Sequence, residues 1–256
     1  MNKKVTLDET GKVWGDIVTS LLSTSTHIIA LRGAGSFNGI SVTEANRILK
    51  EILFPRIERY LEDGVVSFIF DGDNDDPKYP DIGHIAGRIR DHYSDRVEFY
   101  AVQSLSWYRY REELPNIRPL HSANKNEYET VLFPEKTFEG EHSHFSQHTR
   151  LTKSDKYEQW YIGACGKIAS SQLADFSEKS NGSPGPHKVL VVKSPVSIEQ
   201  EKKIQLRIDQ DPDSERGQRL KASLVQRAEN PFGLLHTADG EFISSPDFSK
   251  LKIEAI

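Results

Sequence analysis

A glycine-rich segment at residues 33–39 has the composition of a loop that holds an anion. It reads Gly-Ala-Gly-Ser-Phe-Asn-Gly, and it stands between an apolar run and a helical pattern that begins at Ser41. Glycines let backbone N–H groups approach a phosphate without an intervening Cβ, and the N-terminus of a following helix adds partial positive charge. The candidate ligand-binding residues donate N–H or O–H groups or carry positive charge: Arg32, Gly33, Gly35, Ser36, Asn38 and Gly39.

The spacing of these glycines differs from the standard nucleotide-binding fingerprints. It is Gly-x-Gly-x-x-x-Gly rather than Gly-x-Gly-x-x-Gly, and no Gly-Lys-Ser/Thr ending follows. The dinucleotide fingerprint also expects an acid about 20 residues later, whereas the nearest acid at a strand end is Asp71, 38 residues after Gly33. Two interpretations therefore stay open, a phosphate-binding loop or a structural turn. For Arg32 they are a phosphate partner or a surface salt bridge.

An acidic segment follows the next apolar run. It reads FIFDGDNDDPKYPD, and its first aspartate leaves the end of an expected strand, where ligands collect in parallel α/β folds. Carboxylates packed this closely repel one another, and a divalent cation relieves that repulsion. We therefore take Asp71 and Asp73 as candidate catalytic residues, and Asp71, Asp73 and Asp75 as candidate Mg²⁺ ligands. The alternative is that these residues only form turns, as Asp-Gly and Asn-Asp-Asp-Pro commonly do.

Three histidines form the remaining candidate cluster. His142, His144 and His148 stand beside Glu141 in the sequence GEHSHFSQHTR. Imidazoles this close together could bind zinc or serve acid–base chemistry near neutral pH. The spacing lacks the His-Glu-x-x-His pattern of zinc proteases. In so polar a stretch, the alternative is that these side chains simply face solvent.

The elements that must position these residues alternate between strands and helices over residues 27–102. Apolar runs at 27–31, 65–70 and 97–102 predict buried strands, and helical periodicity separates them. Strands that are apolar throughout and alternate with helices indicate a parallel sheet covered on both faces. The predicted fold class is α/β, a Rossmann-like and mainly parallel sheet flanked by helices, with an elaborated α+β C-terminal half.

The domain organisation follows from where this alternation stops. We expect a Rossmann-like βαβαβ core over residues 1–103. Residues 104–256 would form a cap or appended α+β region that adds at least one strand, at 188–193. The alternative is one continuous domain.

The helix after the glycines has the clearest local signals. Ser41 and Glu44 have the Ser-x-x-Glu spacing of a capping box. Pro55 should kink the helix or end its first part, and Gly64 suits its end.

Other segments give weaker patterns. Residues 5–14 resemble a short hairpin around Glu-Thr-Gly, followed by a brief helix. Residues 156–179 are interpreted as helical, and residues 197–229 as helical in part with a break at Asp-Pro-Asp.

Composition limits the functional classes. The formal net charge of −5 gives no general attraction to nucleic acid or to an anionic membrane. The single cysteine, Cys165, excludes an intramolecular disulfide and fits a reducing compartment. No apolar stretch is long enough to span a bilayer, and no secretory signal is recognisable. We therefore expect a cytoplasmic protein that has no membrane partner and is not drawn to nucleic acid by its overall charge. The alternatives are a local basic patch and secretion by a route without a cleaved signal.

Two functional hypotheses follow from these residues. In the first, the protein binds a nucleotide or small phosphorylated ligand across the loops at 33–39 and 71–76. One version of it is a Mg²⁺-dependent hydrolase or transferase. In the second, the α/β core is a scaffold whose long polar loops bind a protein partner without catalysis. The sequence leaves open whether the chain is an enzyme.

Overall fold

A computed structural model describes residues 5–33, 41–70, 75–76, 79–80, 82–104, 129–133, 150–164, 187–193, 195–229 and 251–256. Within these ranges, eight strands form one sheet in which every hydrogen-bonded neighbour runs parallel. Helices flank the sheet, so the predicted α/β, Rossmann-like class is confirmed. No helix in the described part of the chain is both long and apolar enough to cross a membrane.

The strands are numbered in chain order. The sheet contains β1 (Val5–Leu7), β2 (His27–Gly33), β3 (Val66–Phe70), β6 (Val97–Ser104), β7 (Glu129–Phe133), β8 (Tyr157–Ala164), β9 (His187–Lys193) and β10 (Leu251–Ala255). Two short strands outside it, β4 (Asp75–Asp76) and β5 (Tyr79–Pro80), pair antiparallel within the predicted acidic loop. The order across the sheet is β1-β7-β6-β3-β2-β8-β9-β10. Both regions proposed from the sequence thus contribute strands to this sheet.

Six α-helices lie in the described residues. They are α1 (Lys12–Thr24), α2 (Val42–Ile48), α3 (Phe54–Asp63), α4 (Ile82–Tyr93), α5 (Pro195–Gln210) and α6 (Glu215–Glu229). α5 and α6 match the predicted helical stretch and are separated by residues 211–214, where the sequence places Asp-Pro-Asp.

Each face of the sheet has its own apolar core. On one face, residues such as Ile29, Phe68 and Trp160 pack with buried side chains of α2, α3 and α4. On the other face, Ala30 and Tyr161 pack with buried side chains of α1. Burial on both faces explains why β2 and β3 are apolar at nearly every position.

Pro55 explains an interruption between α2 and α3. Because proline has no backbone N–H, the regular bonding pattern fails one turn before it. Residues Leu49–Leu53 form a π-helical segment instead, and the N–H of Phe54 bonds to the carbonyl of Leu49, five residues earlier. The predicted kink at Pro55 therefore takes the form of a π-helical turn.

The hairpin predicted at residues 5–14 is wrong. β1 pairs parallel with β7, more than 120 residues away, and α1 already begins at Lys12. The carboxylate of Asp8 accepts a 2.8 Å hydrogen bond from the N–H of Trp14. This bond stabilises the first turn of α1 where a hairpin turn was expected. β1 therefore pairs with the distant strand β7 and not with a neighbouring strand across the predicted turn.

The helix predicted at residues 156–179 is also wrong in its first part, which forms the interior strand β8. β8 lies between β2 and β9 and carries two buried polar side chains, Glu158 and Gln159. These polar residues break the apolar run by which buried strands are recognised. Aromatic residues on both sides of them favour the extended conformation.

Candidate functional site

The sheet reverses its strand order beside β2. From β2 the chain proceeds to β3, β6 and β7 on one side, whereas β8, β9 and β10 follow one another on the other side. The reversal therefore falls between β2 and β8. In open α/β sheets, ligands bind in the crevice outside the carboxyl ends of the strands at this kind of position. This edge is the candidate ligand site.

The register brings the starts of the two predicted loops to the same edge. Leu31 pairs with Phe70, and Gly33 pairs with Ile162 of β8. Because β2 and β3 run parallel, their carboxyl ends lie side by side. The glycine-rich and acidic segments therefore both begin at the candidate edge.

Arg32 lies in β2 immediately before the glycines. It is paired in register with Tyr161 of β8 and is 9% exposed. Its neighbours on the same face of β2 are apolar and pack with α1. Arg32 is therefore a buried arginine in the residue before the strand end, and arginine stays protonated at every physiological pH.

The helix that follows the glycines begins as predicted. Ser41 caps α2, and its Oγ accepts a 3.1 Å hydrogen bond from the N–H of Glu44. The carboxylate of Glu44 accepts two hydrogen bonds from Arg47, at 3.0 and 2.7 Å, and these bonds lower the pKa of Glu44. The negative charge near this helix start is therefore neutralised within the helix itself.

The other predicted site residues lie outside the described residues or are described only in part. Outside them are Gly35, Ser36, Asn38, Gly39, Asp71, Asp73, His142, His144 and His148. Asp75 is described by its backbone alone, in β4. Among the described residues, no group of three or more His, Cys, Asp or Glu side chains is placed to hold a metal ion. The predicted Mg²⁺ and histidine sites remain predictions.

Sequence reasoning missed a polar cluster around Glu158. This side chain is 3% exposed, and its two oxygens accept hydrogen bonds from the hydroxyl of Tyr60 (3.1 Å) and Nε1 of Trp160 (2.9 Å). Burial raises the pKa of Glu158, while Tyr60, Lys188, Trp160 and Arg56 act in the opposite direction. A glutamate and a glutamine among aromatic residues, Tyr-Glu-Gln-Trp-Tyr, were the available signal, because buried polar side chains in a strand need specific partners.

The opposite face of β8 carries a second polar arrangement. Gln159 is buried and donates through Nε2 to the hydroxyl of Tyr157 at 3.2 Å, while the hydroxyl of Tyr161 donates to its Oε1. All three residues belong to one strand and satisfy one another. These hydrogen bonds explain how a glutamine is buried on this face of the sheet without a ligand.

No protein-family model matches the chain, and no curated protein matches its sequence significantly.

Proposed function

We propose that this chain binds a nucleotide or another small phosphorylated ligand at the carboxyl edge of its sheet. The ligand would lie between the segments that follow Gly33 and Phe70. The observation that supports this proposal best is the reversal of strand order between β2 and β8, because ligands of open α/β sheets bind at such reversals. The glycine-rich sequence begins at that position.

The residue chemistry around this edge supports an anionic ligand. Gly33, Gly35 and Ser36 would hold a phosphate through backbone N–H groups and a hydroxyl, with Asn38 and Gly39 completing the loop. Arg32 would neutralise the phosphate charge, since its guanidinium suits oxyanions.

The acidic segment supports a finer proposal, that the protein is a Mg²⁺-dependent hydrolase or transferase. Asp71 and Asp73 would hold the ion or a ribose hydroxyl, with Asp75 as a further ligand. When bound, Mg²⁺ neutralises charge on a phosphoryl group and orients it for displacement. The chain's own contribution would be to position ligand and ion at one edge.

The proposed compartment is the cytoplasm. A single cysteine suits a reducing environment, and a nucleotide ligand is abundant there.

Two measurements test the ligand proposal together. Native mass spectrometry of freshly purified protein should detect a co-purifying nucleotide or metal ion. Thermal unfolding should then show a higher melting temperature with ATP, ribose 5-phosphate or MgCl₂. At a ligand concentration of 100 times Kd, the gain in stability is about 2.7 kcal/mol.

Matched variants separate specific binding from a general salt effect. Gly35→Asp adds a side chain and a negative charge to the glycine loop and should abolish the gain. Ser23→Asp adds the same charge on the exposed end of α1, before β2 begins, and should leave the gain unchanged. If native spectra contain no ligand and no probe shifts melting, the proposal is wrong and the protein-binding scaffold is favoured.

A further inference from the structure

A small pocket opens on the sheet face that α3 covers. Its volume is about 180 Å³. Its polar lining consists of Arg56, Tyr60, Glu158, Lys188, Lys252 and Glu254. Glu158 precedes Ile162, the register partner of Gly33, by four residues of β8, which corresponds to about 13 Å along the strand. The other end of the pocket, at Leu190 and Glu254, is level with Trp160, about 7 Å before Ile162, so the pocket ends short of the site proposed above.

Three charged residues form a row across neighbouring strands in this pocket. Glu158 of β8 pairs in register with Lys188 of β9, which pairs with Lys252 of β10. Register partners in a sheet point to the same face, and like charges directly opposite one another are destabilising. Lys188 and Lys252 are thus neighbours on the same face of the sheet, where a bound anion would relieve the repulsion between their charges.

The two carboxylates of the pocket have partners of their own. Glu254 forms an ion pair with Arg56 of α3, and the two oxygens of Glu158 accept hydrogen bonds from Tyr60 and Trp160. Within the described residues, neither lysine has an ion-pair partner, although Nζ of Lys188 lies 5.9 Å from the ring centroid of Tyr60. Both lysines are exposed at the pocket opening. The charge of Lys188 also acts to lower the pKa of Glu158, and the three cations and two carboxylates of the lining leave the pocket with a net charge of +1.

We propose that this pocket binds a small oxyanion, a phosphate or a carboxylate group, between the ammonium groups of Lys188 and Lys252. The pocket volume of about 180 Å³ is large enough for a phosphate or a short carboxylate. Lysine recognises an oxyanion as a point charge with three donors. Arg56 adds a third positive charge at the inner wall, where it also holds Glu254.

Equilibrium dialysis with inorganic phosphate tests the proposal, at an ionic strength held constant with NaCl. The wild-type chain should bind phosphate saturably. K188M and K252M should each remove one binding site or weaken it at least tenfold, and the milder variant K188Q should act in the same direction. K50M removes the same charge from an exposed residue of the π-helical segment and should change nothing.

A further variant separates this pocket from the carboxyl edge. In G35D, phosphate binding that depends on Lys188 should persist, because the glycine loop starts about 13 Å away. Loss of all phosphate binding in G35D with full retention in K188M would overturn the proposal, and so would the absence of saturable binding to the wild type. Acetate in competition then identifies the ligand class. Displacement of phosphate indicates that carboxylates bind too, and its absence indicates selectivity for phosphate.

Discussion

The hydroxyl of Tyr60, on α3, donates a hydrogen bond of 3.1 Å to Oε2 of Glu158, on the interior strand β8. The bond connects α3 to the side chain of Glu158, a residue that is 3% exposed. Burial, together with the nearby charge of Glu158, raises the pKa of Tyr60 to about 12. The phenol therefore stays protonated, and remains a donor, throughout the physiological pH range.

Replacing Tyr60 by Phe should destabilise the fold by about 1–3 kcal/mol, because a buried oxygen of Glu158 loses its donor. The ring stack with His27, whose centroid lies 4.0 Å from that of Tyr60, is preserved in this variant. Tyr60→Leu should cost more, since it removes the stack as well. Urea denaturation at neutral pH measures both losses. A Tyr60→Phe variant as stable as the wild type would mean that the bond contributes nothing to folding.

The stability of the protein should fall as pH drops below about 6.5 because of His27. Burial and then the charge of Lys188 lower the pKa of His27 from 6.5, and Asp63 opposes this shift only in part. The unfolded chain therefore binds a proton more readily than the folded one, and its extra protons favour unfolding below the unfolded-state pKa.

The variant His27→Gln isolates this effect. Unfolding free energies measured in urea at pH 7.5 and pH 5.5 should differ less in His27→Gln than in the wild type. His187, whose pKa is also lowered by burial, remains in both proteins and serves as a common background. Equal differences in the two proteins would exclude His27 as a source of the pH dependence.

Gly64 ends α3 in a conformation that other residues rarely adopt. Its φ angle is +144°, and a Cβ at this position would lie 2.2 Å from Oγ1 of Thr26. Gly64→Ala should therefore destabilise the protein by about 1–3 kcal/mol through backbone strain and by a further amount through the collision. In the double variant Gly64→Ala/Thr26→Ala, only the part of the lost stability that comes from the collision should be recovered. Full recovery, measured by thermal unfolding, would show that the backbone angle carries no strain.

The parts of the fold that the sequence predicts are those determined by neighbouring residues. Ser41 and Glu44 form the predicted cap, and Gly64 ends α3 where expected. The apolar runs of β2 and β3 identify buried strands because both of their faces are covered. The position of Gly33 at the carboxyl end of a central strand follows from the same alternation of elements.

The parts that escaped prediction depend on distant partners. β1 is three residues long and exists through its pairing with β7, which no local pattern can indicate. Apolar anchors at helical spacing over residues 156–179 predict a helix where the structure has β8, and the partner that stabilises the buried Glu158 of that strand, Tyr60, comes from α3, about a hundred residues earlier. The lysine row of the pocket likewise depends on the register of β9 with β10.

Asp8 should contribute to stability because it caps the start of α1 from a buried position. It is 1% exposed, and its Oδ2 accepts a 2.8 Å hydrogen bond from the N–H of Trp14 in the first turn of α1. Gly11, the N-cap residue, supplies no side-chain acceptor for that turn. Asp8 performs the capping from outside the helix, and its own N–H bonds to the carbonyl of Leu132 at 2.8 Å.

Asp8→Ala should therefore cost about 1–2 kcal/mol, the range of other lost helix caps. Asp8→Asn keeps an oxygen acceptor and should recover part of the loss. Asp16→Ala is the matched control, because Asp16 is exposed and forms a 3.9 Å ion pair with Lys12, a type of contact that contributes less than about 0.5 kcal/mol. Urea denaturation of the three variants at neutral pH measures these losses of unfolding free energy. Equal losses for Asp8→Ala and Asp16→Ala would show that the start of α1 does not depend on this cap.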